Sequence, residues 1–389
     1  MNTKFDVAIV GGGPVGAALA IAIARGGLQV IVVEGREPTL PDNAQWDARV
    51  YAMSPGSLDF IAGLGASQCI DEERIAAIAS MQVWGDDGKA SIEFDAMEAG
   101  RDNLGCIMEA GRLQTALWNV LLKESNVTLR CPARCESLAL HASGTQLGFT
   151  DGQTIEADLV IGADGADSWV RSASGFEAKT KPYGQVGVVA NFLTERPHGH
   201  VARQWFQKDG VLAWLPLPGN RMSIVWSAQT SLAEELLALD ANAFCNRVTE
   251  AGKGILGKLE LITPPASFPL RLVELAHTVK RGVALVGDAA HVVHPLAGQG
   301  VNLGLRDAQK LAQVLLSRNI NEHLGELAVL RRYERARRED WLATKYVTDG
   351  LHTLFHPTHP SLTRVRNFGL TMTNQLPILK RQFMTHAIQ

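Results

Sequence analysis

Gly287-Asp288 stands at the end of the apolar run Val283 to Val286. Gly298-Gln299-Gly300 follows it and opens a helical pattern through Leu303, Leu311 and Leu315. A buried strand thus delivers an aspartate beside a glycine-rich turn that starts a helix. The start of a helix presents N–H groups without intrahelical partners and about half a positive charge. Such an end suits a flat, electron-rich group that must carry negative charge, for example the N1/C2=O edge of a reduced flavin.

A second set of residues has the chemistry of a nucleotide cradle. Lys4 to Val10 reads as a buried parallel strand, and Gly11-Gly-Gly-Pro14-Val15-Gly16 leads into an alanine-rich helix ending near Arg25. Gln29 to Val33 is the next strand, closed by Glu34 and followed by Gly35-Arg36. In this setting Gly11 permits a tight turn, Gly13 lets backbone approach a pyrophosphate, and Gly16 allows close helix–strand packing. Glu34 can accept hydrogen bonds from both hydroxyls of an adenosine ribose. Its charge would repel a 2′-phosphate, so FAD or NAD suits the site better than NADP.

A third set lies mid-chain. Ala157 to Ala163 reads as a strand, Asp164-Gly165 as a tight turn, and a helix follows, capped by Asp167 or Ser168. The Asp-Gly pair is either a plain strand-ending turn or a further cofactor contact. Arg49, after the polar loop Pro38 to Asp47, reads either as a surface charge or as a phosphate or flavin contact. His291 and His294 flank the Gly-Asp turn and read either as packing histidines or as a base. Cys131 and Cys135, and His352, His356 and His359, do not assemble the three or four convergent ligands that a metal needs.

These residues need a sheet to position them. Three separated βα units read as one Rossmann-like α/β unit: residues 1–80, 105–184 and 276–350. Between them lie a hairpin at 81–104 and a run of alternating strands at 185–275, which read as an interleaved mixed β-sheet substrate domain. Residues 231–251 read as a helical insert in that run. Trp205, Trp214 and Trp226 recur there, as sheet packing or as the wall of an apolar pocket. Residues 351–389 form a helical tail carrying Arg364, Arg366, Lys380 and Arg381 but no Asp or Glu. A net charge of −3 argues against a nucleic-acid partner. Five cysteines, few and odd in number, favour a reducing compartment. No signal peptide is read at the N-terminus, and no uncharged run reaches the ~18 residues of a membrane span.

Together, the first glycine turn, Ala163-Asp164-Gly165 and Gly287-Asp-Ala-Ala-His291 resemble the single-component FAD-dependent aromatic hydroxylases, the group of p-hydroxybenzoate hydroxylase. Leu285 to Gly304 is most similar to the ubiquinone-biosynthesis hydroxylases within that group, as is the ending Leu379 to Ala387. The resemblance implies extended FAD, reduced by NAD(P)H or by another reductase. Reaction with O2 then gives a C4a-hydroperoxyflavin that hydroxylates a polyprenylated phenol. It implies Gly11, Gly13, Pro14, Val15 and Gly16 at the pyrophosphate, and Glu34, Gly35 and Arg36 at the adenosine. It places Arg49 and Arg112 along the phosphate and ribityl chain, Gly287-Asp288 at the ribityl hydroxyls, and Asp164-Gly165 at FAD and the nicotinamide donor. Pro295, Gly298, Gln299, Gly300, Val301 and Asn302 border the isoalloxazine. No nucleophile or metal is expected, because oxygen chemistry belongs to the cofactor; among side chains only His294 and Pro295 stand where a catalytic contact would fall. The expected setting is the cytoplasm, peripheral at the inner membrane or within a quinone-biosynthesis complex. Two other readings are a hydroxylase of a soluble aromatic acid and a flavin-stabilised scaffold subunit.

Overall fold

The computed structural model describes residues 4–39, 42, 44–86, 90–141, 144–294 and 298–355, leaving aside the side chains of 347–349 and 351–355. The glycine-rich start is a βαβ unit: β1 (Lys4–Val10), α1 (Pro14–Arg25) and β2 (Val30–Val33). Pro14 occupies the first helical turn, where its missing N–H costs nothing. β1 pairs in parallel with β2 on one side and with the strand Thr154–Gly162 on the other. Thr154–Gly162 in turn pairs in parallel with Val283–Leu285, and β2 with Val127–Arg130. Strands covered on both faces read as continuous apolar runs, and Val7, Ala8, Ile9, Val30 and Val32 are fully buried.

The register of this sheet brings the distant motifs together. Val10 pairs with both Val33 and Gly162, and Gly162 pairs with Leu285. The four strands therefore end in one row. Gly11, Glu34, Asp164 and Gly287-Asp288 all emerge at the carboxyl edge of the sheet, where open α/β sheets bind ligands.

A second sheet is antiparallel except where Val201–Gln207 pairs in parallel with Ser80–Trp84. Its spine is the strand Ala178–Thr194, paired with Arg221–Gln229, Leu259–Leu261 and Ala266–Leu275. The hairpin of Ser80–Trp84 and Ser91–Asp95 joins the opposite edge, although these residues come far earlier in the chain than the rest. One face packs under α5 (Thr230–Ala238) and α6 (Ala241–Ala251), and Trp205, Trp214 and Trp226 lie there, 1–2% exposed among Leu236, Phe244 and Val248. Trp205 stacks on Trp84 at 5.0 Å and meets Trp214 edge-on at 5.1 Å. The tryptophans are core packing, and the pocket-wall reading falls away. The expected single helical insert at 231–251 is two helices, because Asp240 caps α6 through the N–H of Ala243.

The other face of this sheet meets a small antiparallel sheet containing β3 (Val50–Met53) and Cys106–Glu109. Leu215, Leu217 and Ala202 pack there against Val50, Ala52 and Ile107. Ser54 caps α2 (Pro55–Gly63), as the Ser-Pro pair implies. α3 (Ala110–Leu121) and α7 (Gly300–Leu316) pack on α1. α8 (Leu327–Phe355) closes over α7, and no helix among the described residues is long and apolar enough to cross a membrane. The tail beyond Phe355, with His356, His359 and all four of its basic residues, lies outside the described residues.

Candidate functional site

The three glycines of the first turn have different reasons to be glycine. Gly11 has φ +108°, and a Cβ there would sit 2.3 Å from the carbonyl of Ala163. A Cβ on Gly16 would sit 2.0 Å from the carbonyl of Gly11. Both are demanded by the protein's own packing. Gly13 has ordinary angles (φ −64°, ψ 178°), and a Cβ there would meet nothing within 4 Å. Its lack of a side chain serves the space outside, where the N–H groups of the first turn, Val15 and Gly16, lack helical partners. Backbone open at a helix start is what a pyrophosphate requires.

Glu34 closes β2 with its carboxylate turned back on the loop. It accepts from the Gly12 N–H at 2.7 Å and from the Arg36 N–H at 3.2 Å, which leaves lone pairs for a ribose. Gly35 and Arg36 are exposed beside it. The loop is braced from α3 by Trp118, whose Nε1 donates to the Gly12 carbonyl at 2.6 Å. Sequence reasoning missed Trp118. The available signal was Gln114 and Trp118, two N–H-bearing side chains at i and i+4 on one helix face.

Asp288 sits on a single 3-10 turn, half-buried, and accepts no hydrogen bond from the described residues. Burial pushes its carboxyl above the usual range, partly offset by His291 and Arg49. A desolvated acceptor facing the groove fits the hydroxyls of a ribityl chain. Gly300, Val301 and Asn302 form the first turn of α7, with open space beside Gly300. Gln299 precedes them, and Gly298 takes φ +61° with its Cβ position 3.0 Å from Ala52 Cβ. Asn302 turns inward and pins β3: its Oδ1 accepts from the Ser54 N–H at 2.9 Å and its Nδ2 donates to the Ala52 carbonyl at 2.7 Å. Arg49 is exposed at the mouth, 5.4 Å from the centre of the Tyr51 ring.

Arg112 is buried at the start of α3, its Nε on Glu109 at 2.9 Å. Glu109, 1% exposed, also takes Arg74 on both oxygens and accepts from the Asp47 N–H at 2.7 Å. Asp47 in turn accepts from the N–H groups of Arg49 and Gly111. Glu109 and Asp47 thus position both arginines, and sequence reasoning singled out neither. Asp164 lies at the sheet edge, but its carboxylate is used locally, accepting from the Ser168 hydroxyl at 2.5 Å and the Val170 N–H at 3.0 Å. Ser168 is the cap of α4 (Trp169–Ala173). Gly165, at φ +83° with open space around it, is the part of that pair turned outward. His294, 1% exposed, donates to Gln185 Oε1 at 2.9 Å and meets the Tyr183 ring edge-on. Pro295 lies outside the described residues. No cluster of metal-ligating side chains occurs among the described residues.

The carboxyl edge of the sheet therefore brings together open backbone at two helix starts, a ribose-type carboxylate and a desolvated aspartate. These residues fit an extended dinucleotide. Residues 4–345 match the model of the FAD binding domain family. The 3-demethoxyubiquinol 3-hydroxylase of Escherichia coli is 36% identical over 391 residues, covering 100% of this chain and 99% of that protein. The ubiquinone hydroxylase UbiL of Rhodospirillum rubrum is 35% identical, covering 98% of this chain and 89% of that protein. Among solved structures, the p-nitrophenol 4-monooxygenase PnpA of Pseudomonas putida superposes with a TM-score of 0.79 at 19% identity, covering 100% of this chain and 99% of that one. The chain belongs to the FAD-dependent ubiquinone-biosynthesis hydroxylases. It is a flavoprotein enzyme of the aromatic-ring monooxygenase class.

Proposed function

We propose that this enzyme hydroxylates the ring of a neutral polyprenylated phenol in ubiquinone biosynthesis, using O2 and electrons from NAD(P)H or a partner reductase. The carrying observation is the face that the second sheet turns toward β3. Its cross-strand rows read Ile92, Val83, Gln204, Ala213, Val225, Val189; then Leu215, Ser223, Asn191; then Phe206, Val211, Ser227, Gly187. None of these side chains ionises. Arg221, one row further along, lies over the Trp46 ring, 5.2 Å from its centre, and donates to the Pro218 carbonyl. Among the described residues of these three rows, a carboxylate of a soluble aromatic acid would find no cation, and burying it there unpaired would cost several kcal/mol. A neutral phenol bears no such cost.

Bound FAD supplies electron transfer and oxygen activation. The first-turn backbone around Gly13 holds the pyrophosphate, and Glu34 holds the adenosine ribose. Asp288 fixes the ribityl chain, and the start of α7 stabilises negative charge on the ring edge. Val189, Val225 and Ala213 exclude water around the acceptor ring. The test is oxygen uptake with NADH or NADPH, comparing a polyprenylated phenol with 4-hydroxybenzoate and weighing the product for one added oxygen. Turnover of the acid alone overturns the neutral-ring reading. Stoichiometric flavin without turnover of either, even with a supplied reductase, favours a scaffold.

Such a phenol resides in a bilayer. The acid-free tail, with Arg364, Arg366, Lys380 and Arg381 among apolar residues, supports contact with an anionic membrane surface or a membrane-bound partner.

A further inference from the structure

The Gly287-Asp288 turn is held from behind by charges that do not belong to the groove. Asp307 of α7 is 0% exposed. Its Oδ2 accepts from the Gly287 N–H at 3.0 Å and from His291 Nε2 at 2.7 Å. Its Oδ1 accepts from Arg337 Nε of α8 at 2.7 Å. Burial alone would raise the Asp307 carboxyl, but His291 and Arg337 outweigh it and hold the group charged. Arg337, 8% exposed, also reaches Asp340 and the Leu303 carbonyl. One turn earlier on α8, the Tyr333 hydroxyl donates to the Leu285 carbonyl at 3.0 Å, two residues before the turn.

The turn is closed by its own backbone, the Gly287 carbonyl accepting from the N–H groups of Ala290 and His291, and is packed tightly against α7. Gly287 takes φ +60°, and its Cα lies 3.2 Å from the Cβ position of Gly304 on α7. The bond from its N–H to Asp307 ties the turn to α7 at the residue before Asp288. Asp307 is itself held only while its charge is matched, since a buried carboxylate without a partner costs several kcal/mol. We propose that Asp307 and Arg337 are a positioning pair for the flavin. Through them, α8 sets how tightly the ribityl chain is held, acting from Tyr333 and Arg337 behind the turn. The proposal rests on FAD binding by this chain and not on the identity of its substrate.

The test uses the full-length protein and FAD itself. Asp307→Asn, Arg337→Gln, Arg337→Lys and the Asp307→Asn/Arg337→Gln double variant are compared with Arg332→Gln. That control breaks the ion pair of Arg332, also on α8, with Glu322 in the segment that precedes the helix. FAD dissociation constants come from flavin fluorescence, apo-protein stability from thermal melts, and the environment of bound flavin from its visible spectrum and midpoint potential. The expected result is a rise of tenfold or more in Kd for Asp307→Asn and Arg337→Gln, with a shifted spectrum or potential. Arg337→Lys should recover part of the loss, the double variant should be no worse than the worse single, and Arg332→Gln should stay within twofold. If Asp307→Asn and Arg337→Lys lower only the melting temperature, with Kd, spectrum and potential within twofold of the parent, the pair is a core brace and the proposal fails. Should Arg337→Gln not fold, those two variants decide the question alone. Loss of hydroxylation with unchanged flavin parameters would bear on the substrate reading and leave this one overturned.

Discussion

Gly13→Ala separates a residue required by the ligand from one required by the fold. The added methyl meets no protein atom within 4 Å, and φ −64°, ψ 178° suit any residue. The apo-protein should therefore keep its melting temperature or gain about 0.4–1 kcal/mol from a stiffer unfolded chain. The methyl instead enters the space where a phosphate oxygen would sit at about 2.9 Å from a backbone N–H. Carbon needs roughly 3.5–4 Å, so the pyrophosphate must retreat by ~0.5–1 Å. Weakening two charge-assisted bonds, each worth about 1.5–3 kcal/mol when well formed, leaves a net loss of about 2–3 kcal/mol. That is roughly a 30- to 150-fold weaker FAD constant. Flavin fluorescence titration and apo-protein melts on the same preparation give both numbers. Gly11→Ala and Gly16→Ala should do the opposite and lower apo stability, since their Cβ positions fall 2.3 and 2.0 Å from backbone oxygens. A Gly13→Ala protein that binds FAD like the parent, or melts early without it, refutes the reasoning.

Asp288→Asn should weaken FAD by about 1–3 kcal/mol in titration. Because burial raises the folded carboxyl above its unfolded value, the charge destabilises the apo fold at neutral pH, so apo melts of this variant should match or exceed the parent's there and converge as pH falls through the raised value. For Asp307 the sign reverses. Its folded value is depressed, so its stabilisation is present above the unfolded value of about 3.9 and is lost as pH falls below it; the melting difference between parent and Asp307→Asn should shrink only in that acid range. Trp118→Phe leaves the Gly12 carbonyl without its 2.6 Å donor and should cost about 1–3 kcal/mol in apo melts. Replacing Arg364, Arg366, Lys380 and Arg381 with glutamine should abolish flotation with anionic liposomes while flavin content holds; unchanged flotation, or a parent that never floats, excludes direct lipid contact by the tail.

The parallel unit was legible because strands buried on both faces are written as unbroken apolar runs, and the turn after β1 must be glycine for backbone reasons. The positions of Glu34 and Asp288 at the carboxyl edge of the sheet were legible because each closes such a run. Glu109 also closes one, Cys106 to Glu109, yet its partners Arg74 and Arg112 lie on other elements and no spacing announces them. Asp164 shows the reverse: a strand-ending acid whose oxygens serve the next helix, a use that residue type and position cannot tell from ligand binding. The tryptophans sit on an alternating pattern, and a period of two separates two faces without saying which one α5 and α6 will cover.

The strand order carries a consequence for how the chain is made. β1 emerges first from the ribosome, but its neighbour Thr154–Gly162 appears only after much of the chain has followed, and Val283–Leu285 later still. At about 5–20 residues per second, one edge of β1 stays open for on the order of ten seconds. An apolar edge strand in that condition is a template for pairing with a neighbouring nascent chain. On the proposed FAD site, flavin cannot relieve it, because Asp288 and the start of α7 have not yet been synthesised. Slow translation or early termination should therefore yield aggregates, and flavin supplied during synthesis should not rescue them.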